Sequence, residues 1–164
     1  MRYRFLLAAL PFAMPSASAL AGEPDDLKVA IVYNIIRFTR FAPPHPGRIV
    51  MCIWAGQATG RAFVQLDGRS VPDGRLAVRI VTRPSDLKGG CHIAFLQGEA
   101  PSVVPDDVRM TIGDVAGFAE RGGTVGLRRF GRQVTFEINA QAGSVKGVQF
   151  SARLLNLASV VHTR

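Results

Sequence analysis

The sequence has few of the residues on which most enzymes rely. Its 164 residues include three histidines, two cysteines and one tryptophan. His45 sits in a proline loop, His92 in a strand-like run and His162 in the C-terminal tail. No two of them have metal-ligand spacing and, apart from the adjacent Cys91-His92, the cysteines do not cluster with them, so no metal site is expected. There is no G-x-S-x-G elbow, no P-loop and no G-x-G-x-x-G turn. These gaps predict a protein that is not an enzyme and that uses no cofactor. Beyond the first 21 residues no apolar run approaches the ~20 residues needed to cross a bilayer, so no transmembrane span is expected. Internal repeats, linkers and low-complexity tracts are also lacking.

Acidic residues are scarce, 12 against 20 lysines and arginines. The N-terminus changes how that imbalance is read. Arg2 and Arg4 form a positive n-region, Phe5 to Met14 a short apolar core, and Ala19-Leu20-Ala21 a small-x-small cleavage site. Residues 1–21 therefore read as an export signal and 22–164 as one domain. Without Arg2 and Arg4 the formal charge falls from +8 to +6. In a cytosolic protein such charge would point to nucleic acid. Export argues against nucleic acid and leaves anionic headgroups, an acidic partner, or solubility alone.

Asp25 to Phe41 carries Val29, Val32, Tyr33 and Ile36 at helical spacing, with Asp25 and Asp26 suited to the positive helix end and Arg37 and Arg40 to the other. Apolar runs at Ile49–Ala55, Leu76–Val81, Cys91–Leu96 and Val108–Ile112 predict strands, alternating with helical stretches near Thr59–Leu66, Ser85 and Asp114–Gly122. The expected fold class is α/β: a single domain with an open, mostly parallel sheet, helices on both faces, and a C-terminal antiparallel hairpin. That hairpin is Val125–Arg129 and Val134–Ile138 around Gly131. Asn139 is placed to cap a short helix that Gly147 ends. Ser151 is placed to cap a last helix running on to Val161, with Leu154, Leu157 and Val161 in one apolar row.

The turn Gly56–Gly60, between a strand and a helix, could face a phosphate but lacks the Lys-Ser/Thr of a P-loop and reads as a tight turn. Cys52 and Cys91 are an even pair in an exported chain. They read as a disulfide, since first and third strands of a doubly wound sheet are commonly neighbours, or as two buried thiols. Glu137 lies amid apolar residues and needs a cationic partner, with Arg37, Arg40 and Arg153 the candidates. Either these form a clamp between the first and last helices, or Arg40, Glu137 and Ser151 wall a small polar cleft. Arg128, Arg129 and Arg132 crowd the hairpin tip as a solvated edge or a contact for an acidic partner.

GGTVGL, GRQVTFEIN and GVQFSARLLNLA, together with the upstream VYNIIRFTRF, resemble in order the signatures of the YfiR family of small exported bacterial proteins. The likeness covers roughly Leu27 to Val160. Where the family closes its first helix with Trp-Pro, this chain has Phe41-Ala42 before Pro43. The resemblance implies a periplasmic regulator without catalysis. It would bind the periplasmic domain of an inner-membrane diguanylate cyclase or sensor and repress it, lowering cyclic di-GMP and biofilm formation. A periplasmic small-molecule carrier or sensor is the alternative, and a homodimer stays open. Arg37, Arg40, Phe41, Glu137, Ser151 and Arg153 are the residues expected to meet a ligand or partner.

Overall fold

The computed structural model describes residues 24–44, 47–98 and 104–163. The expected export segment and His45 lie outside them. The chain opens with α1 (Pro24–Arg37), whose Val29, Val32, Ile35 and Ile36 are buried. The helix was expected to reach Phe41 but stops four residues earlier. The Thr39 hydroxyl donates to Ile35 O at 2.8 Å, and Thr39–Phe41 becomes a strand, β1. Its residues alternate buried, exposed, buried, the pattern of a strand lying on a core.

Next come β2 (Gly47–Trp54), α2 (Gln57–Val64), β3 (Ser70–Val71), β4 (Gly74–Ile80), a 3-10 helix (Pro84–Leu87) and β5 (Ile93–Leu96). They are followed by β6 (Met110–Gly113), β7 (Val125–Phe130), β8 (Gln133–Asn139), α3 (Ala140–Val145), β9 (Val148–Phe150), α4 (Ala152–Leu157) and β10 (Val160–His162). Eight strands form one sheet in the order β10-β8-β7-β6-β5-β2-β4-β3, while β1 pairs antiparallel with β9. The run β4-β2-β5-β6-β7 is parallel throughout, with the first parallel strand between the second and third, as in doubly wound sheets. The hairpin β7–β8 is antiparallel, as expected. The Gly56 turn is closed from within: Gly56 N donates to Gln97 Oε1 at 3.0 Å, and Gln97 Nε2 to the Thr59 hydroxyl at 3.0 Å.

Strand periodicity divides the core in two. Ile49, Met51 and Ile53 of β2, with Ile93, Phe95, Met110 and Ile112, pack beneath α1 and α2. Cys52, Ala94 and Leu96 face the other way, against Val81, Leu87 and Val108. On this second face Cys52 and Cys91 form a disulfide, with Cα atoms 5.7 Å apart, because β2 and β5 are adjacent.

Two expected helices differ. The segment after Asp114 forms turns instead of a helix: Gly117 adopts φ 70°, a left-handed residue that interrupts a right-handed helix. The last helix ends at Leu157, and Val160–His162 adds to the sheet parallel to β8. Leu157, expected in the apolar row, is exposed. The local caps are as expected. Asn139 Oδ1 accepts from Ala142 N at 2.8 Å, Ser151 Oγ accepts from Leu154 N at 3.2 Å, and Gly147 takes φ 68° after α3.

Candidate functional site

The β1–β9 pair builds the most distinctive surface. Register places Thr39 opposite Phe150, Arg40 opposite Gln149 and Phe41 opposite Val148. Ser151 N donates to Phe38 O at 3.0 Å, so the start of α4 is tied to the end of α1. A cleft of about 380 Å³ opens there, lined by Arg37, Phe38, Arg40, Pro72, Gln149, Phe150 and Ser151. Three of the residues singled out from sequence, Arg37, Arg40 and Ser151, therefore meet on its walls.

Arginines and aromatic rings interleave around this cleft. The Arg153 guanidinium lies 5.4 Å from the Phe38 ring centre, while Arg37 and Arg69 lie 5.7 and 4.9 Å from that of Tyr33. Each such contact is worth roughly 0.5–1 kcal/mol at an exposed site, enough to hold a guanidinium flat while its donor edges stay free. Arg40 reaches Asp73 at 3.9 Å, but the Asp73 carboxylate is already committed, accepting from Phe41 N at 2.8 Å. Four cations thus face one internally engaged carboxylate, which suits an anionic surface or ligand.

Phe41 is not on this surface: it is buried, with the Arg109 guanidinium 5.0 Å from its ring centre. Glu137 is also elsewhere. Its expected partners were Arg37, Arg40 and Arg153, yet its Oε1 accepts from Arg128 Nη1 at 2.7 Å and its Oε2 lies 3.5 Å from His162 Nε2. The reason is register: Gly126, Glu137 and Val160 lie abreast on β7, β8 and β10, so the neighbouring strands supply the cation and the imidazole. Arg128, read from sequence as a solvated hairpin charge, is instead half of this pair. His92 Nδ1 accepts from Val50 N at 2.9 Å, a structural bond between neighbouring strands.

Sequence reasoning missed Tyr33, Arg69 and Pro72 as companions of the arginines, because β3 brings Arg69 and Pro72 to α1 across more than thirty residues. A signal for β1 was present in the alternation Thr39-Arg40-Phe41.

The Glu137 pair also yields a stability prediction. Glu137→Gln keeps an oxygen for Arg128 but removes the charge, and Arg128 is exposed enough to rehydrate. A loss of about 1–2 kcal/mol is expected in urea unfolding, with no change in any response that depends on the Arg37–Arg40 cleft.

A family model described as YfiR/HmsC-like matches residues 25–159. No curated relative matches the chain. A similar solved structure is a conserved domain protein from Vibrio cholerae O1 biovar El Tor strain N16961, 13% identical, with a TM-score of 0.48. The match covers 84% of this chain and 60% of that one, so this chain spans about three-fifths of that protein's length.

Proposed function

The chain belongs to the YfiR/HmsC-like family, and on that premise we propose that it is a periplasmic regulatory protein that binds and represses the periplasmic domain of an inner-membrane diguanylate cyclase. The observation that carries this reading is the family match across residues 25–159. The Arg2-Arg4 n-region, apolar core and Ala19-x-Ala21 site support export, with residues 1–21 as the signal. Among the described residues no helix is long and apolar enough to cross a membrane. The protein acts by binding and not by catalysis.

Repression then follows from differential affinity. Moving the cyclase from almost wholly active to almost wholly inactive requires the regulator to prefer the inactive form by roughly 10⁴-fold. The cluster Arg37, Arg40, Arg69 and Arg153 is the contact surface, facing an acidic segment of the cyclase. Rim charges of this kind speed encounter, and the few pairs desolvated against Phe38 and Tyr33 hold the complex.

The test is made in the native host. Deleting the protein is expected to raise cyclic di-GMP several-fold. Re-expressing the wild-type chain should restore the low level, while a chain carrying Arg37→Glu, Arg40→Glu and Arg153→Glu should not, despite an unchanged exported amount and a melting temperature still well above that of growth. Unaltered cyclic di-GMP on deletion would refute the reading.

The second reading, a periplasmic carrier or sensor of a small anion, is favoured by the 380 Å³ cleft that brings Arg37, Arg40 and Ser151 together. It predicts saturable binding of a small carboxylate, lost in the same triple variant, with cyclic di-GMP indifferent to deletion.

A further inference from the structure

On the face of the sheet away from α1, the described residues cover β2 and β5 but leave Thr111 of β6 partly open. Strands buried in a parallel sheet are ordinarily covered on both sides. In β6, Met110 and Ile112 are fully buried in the core beneath α1, but Thr111, pointing the other way, remains partly exposed. Gly113 shares that side, and Phe118 lies against it so closely that a Cβ there would collide with the ring. Along this strand runs a groove of about 1090 Å³, from Gly98, Val115 and Phe118 at the carboxyl end of β6 to Val108, Arg109 and Lys146 at its amino end. That is slightly above the usual size range of small-molecule sites, about 300–1,000 Å³. It lies on the opposite side of the sheet from α1 and shares no lining residue with the Arg37–Arg40 cleft.

The floor of the groove holds an unspent donor. Thr111 N donates to the Thr124 hydroxyl oxygen at 3.2 Å and Thr124 N to the Thr111 hydroxyl oxygen at 3.0 Å, with the two oxygens 3.3 Å apart. Each oxygen already accepts a backbone bond, and only one of the two hydroxyl protons fits between them. The other is free to bind an acceptor in the groove.

The charges on the groove lining have one predominant sign. Arg109 spends its donors on neutral carbonyls, Lys146 O at 3.1 Å and Ala42 O at 2.6 Å among them, so its charge is solvated but not neutralised. Arg121 uses Nη1 on Ala116 O at 2.7 Å. Lys146 meets Asp106 Oδ1 at 3.1 Å, yet that carboxylate is fully exposed, where such a pair is weak. Among the described lining residues, three cations stand against this one acid. Val104, Val108, Val115 and Val145 supply aliphatic wall. The helix start that reaches the lining is that of α3, only six residues long.

We propose that this groove is a binding site for a small amphipathic carboxylate, with its carboxylate toward Arg121 and the Thr111–Thr124 hydroxyls and its apolar body along Val108 and Val145 toward the amino end. The site is independent of the proposed contact with a cyclase.

Decanoate is a suitable probe, titrated into the exported protein and followed by calorimetry and by amide shifts in ¹⁵N-labelled protein. Binding on the order of 10 µM is expected, in the ordinary range for a ligand of this size. The shifts should centre on Thr111, Val115 and Val145, and 1-decanol should bind at least about tenfold more weakly. Arg121→Gln should weaken decanoate about tenfold, whereas Lys146→Gln, at the far end of the groove, should leave its affinity within about twofold. Val115→Trp, which fills the groove, should abolish binding. Equal affinity for decanoate and decanol, shifts confined to the Arg37–Arg40 cleft, or no binding at all would each overturn the proposal.

Discussion

Replacing Cys52 and Cys91 together by alanine is expected to lower stability by about 4 kcal/mol, the chain-entropy value for closing a loop of this length. The bridge joins residues 39 apart and ties β2 to the segment entering β5. Both cysteines are buried beside Leu87 and Val81, so alanine, which brings no hydroxyl, isolates the loss of the bond more cleanly than serine does. A further contribution comes from Arg79, whose Nη2 sits 3.3 and 3.0 Å from the two sulfurs and 3.2 Å from Asp86 O. Without the bridge that guanidinium loses the neighbours that hold it over the 3-10 helix. Urea unfolding of the double variant, and of the wild type under reductant, should give matching midpoints well below that of the oxidised protein. A difference under about 1 kcal/mol would mean that the bridge contributes little to holding this face together.

The bridge also marks the limit of what the sequence alone conveys. Its two readings, disulfide or buried thiols, stayed open because the choice depends on β2 lying beside β5, a fact of topology and not of spacing. Where the deciding chemistry is local, reading succeeded. Asn139 and Ser151 cap, Gly147 stops α3, and the hairpin turns at Gly131, each within a few residues of its partner. Where a distant strand decides, reading failed. Thr39–Phe41 looked like the last turn of a helix until β9 offered its edge. Val160–His162 looked like the end of a helix until β8 offered its own. The same cause moved Glu137 from the helix arginines to Arg128 and His162. The cleft was therefore half legible: Arg37, Arg40 and Ser151 could be named from helix-end chemistry, whereas Pro72, Arg69 and the absence of Glu137 from its wall required the sheet.

Arg109→Met is expected to destabilise the protein by about 2–3 kcal/mol, the range for removing a partly buried, charged hydrogen-bond donor. From the position just before β6 the side chain reaches across to two other chain segments. Its Nε donates to Lys146 O at 3.1 Å, Nη1 to Pro43 O at 3.1 Å, and Nη2 to Ala42 O at 2.6 Å and Gly147 O at 3.1 Å. Beneath it lies the Phe41 ring. Methionine preserves much of the packing volume and none of the donors, so four carbonyls lose a charged partner at once. Lysine supplies a point charge without the planar fork and should recover only about half of the loss. The same junction is closed from the other side by Gly147, where a Cβ would collide with Ala42 O, so Gly147→Ala should act in the same direction. Hydrogen exchange gives the local readout: Ala42 N, bonded to Gly147 O at 2.7 Å, should lose protection in Arg109→Met before the β2–β5 core does. Because Lys146 O and Gly147 O belong to the turn that enters β9, loosening it should also release the β1–β9 pair and with it the arginines of the cleft. Loss of regulatory response in this variant should therefore follow its loss of fold, whereas in the triple glutamate variant the response should vanish while the fold is intact.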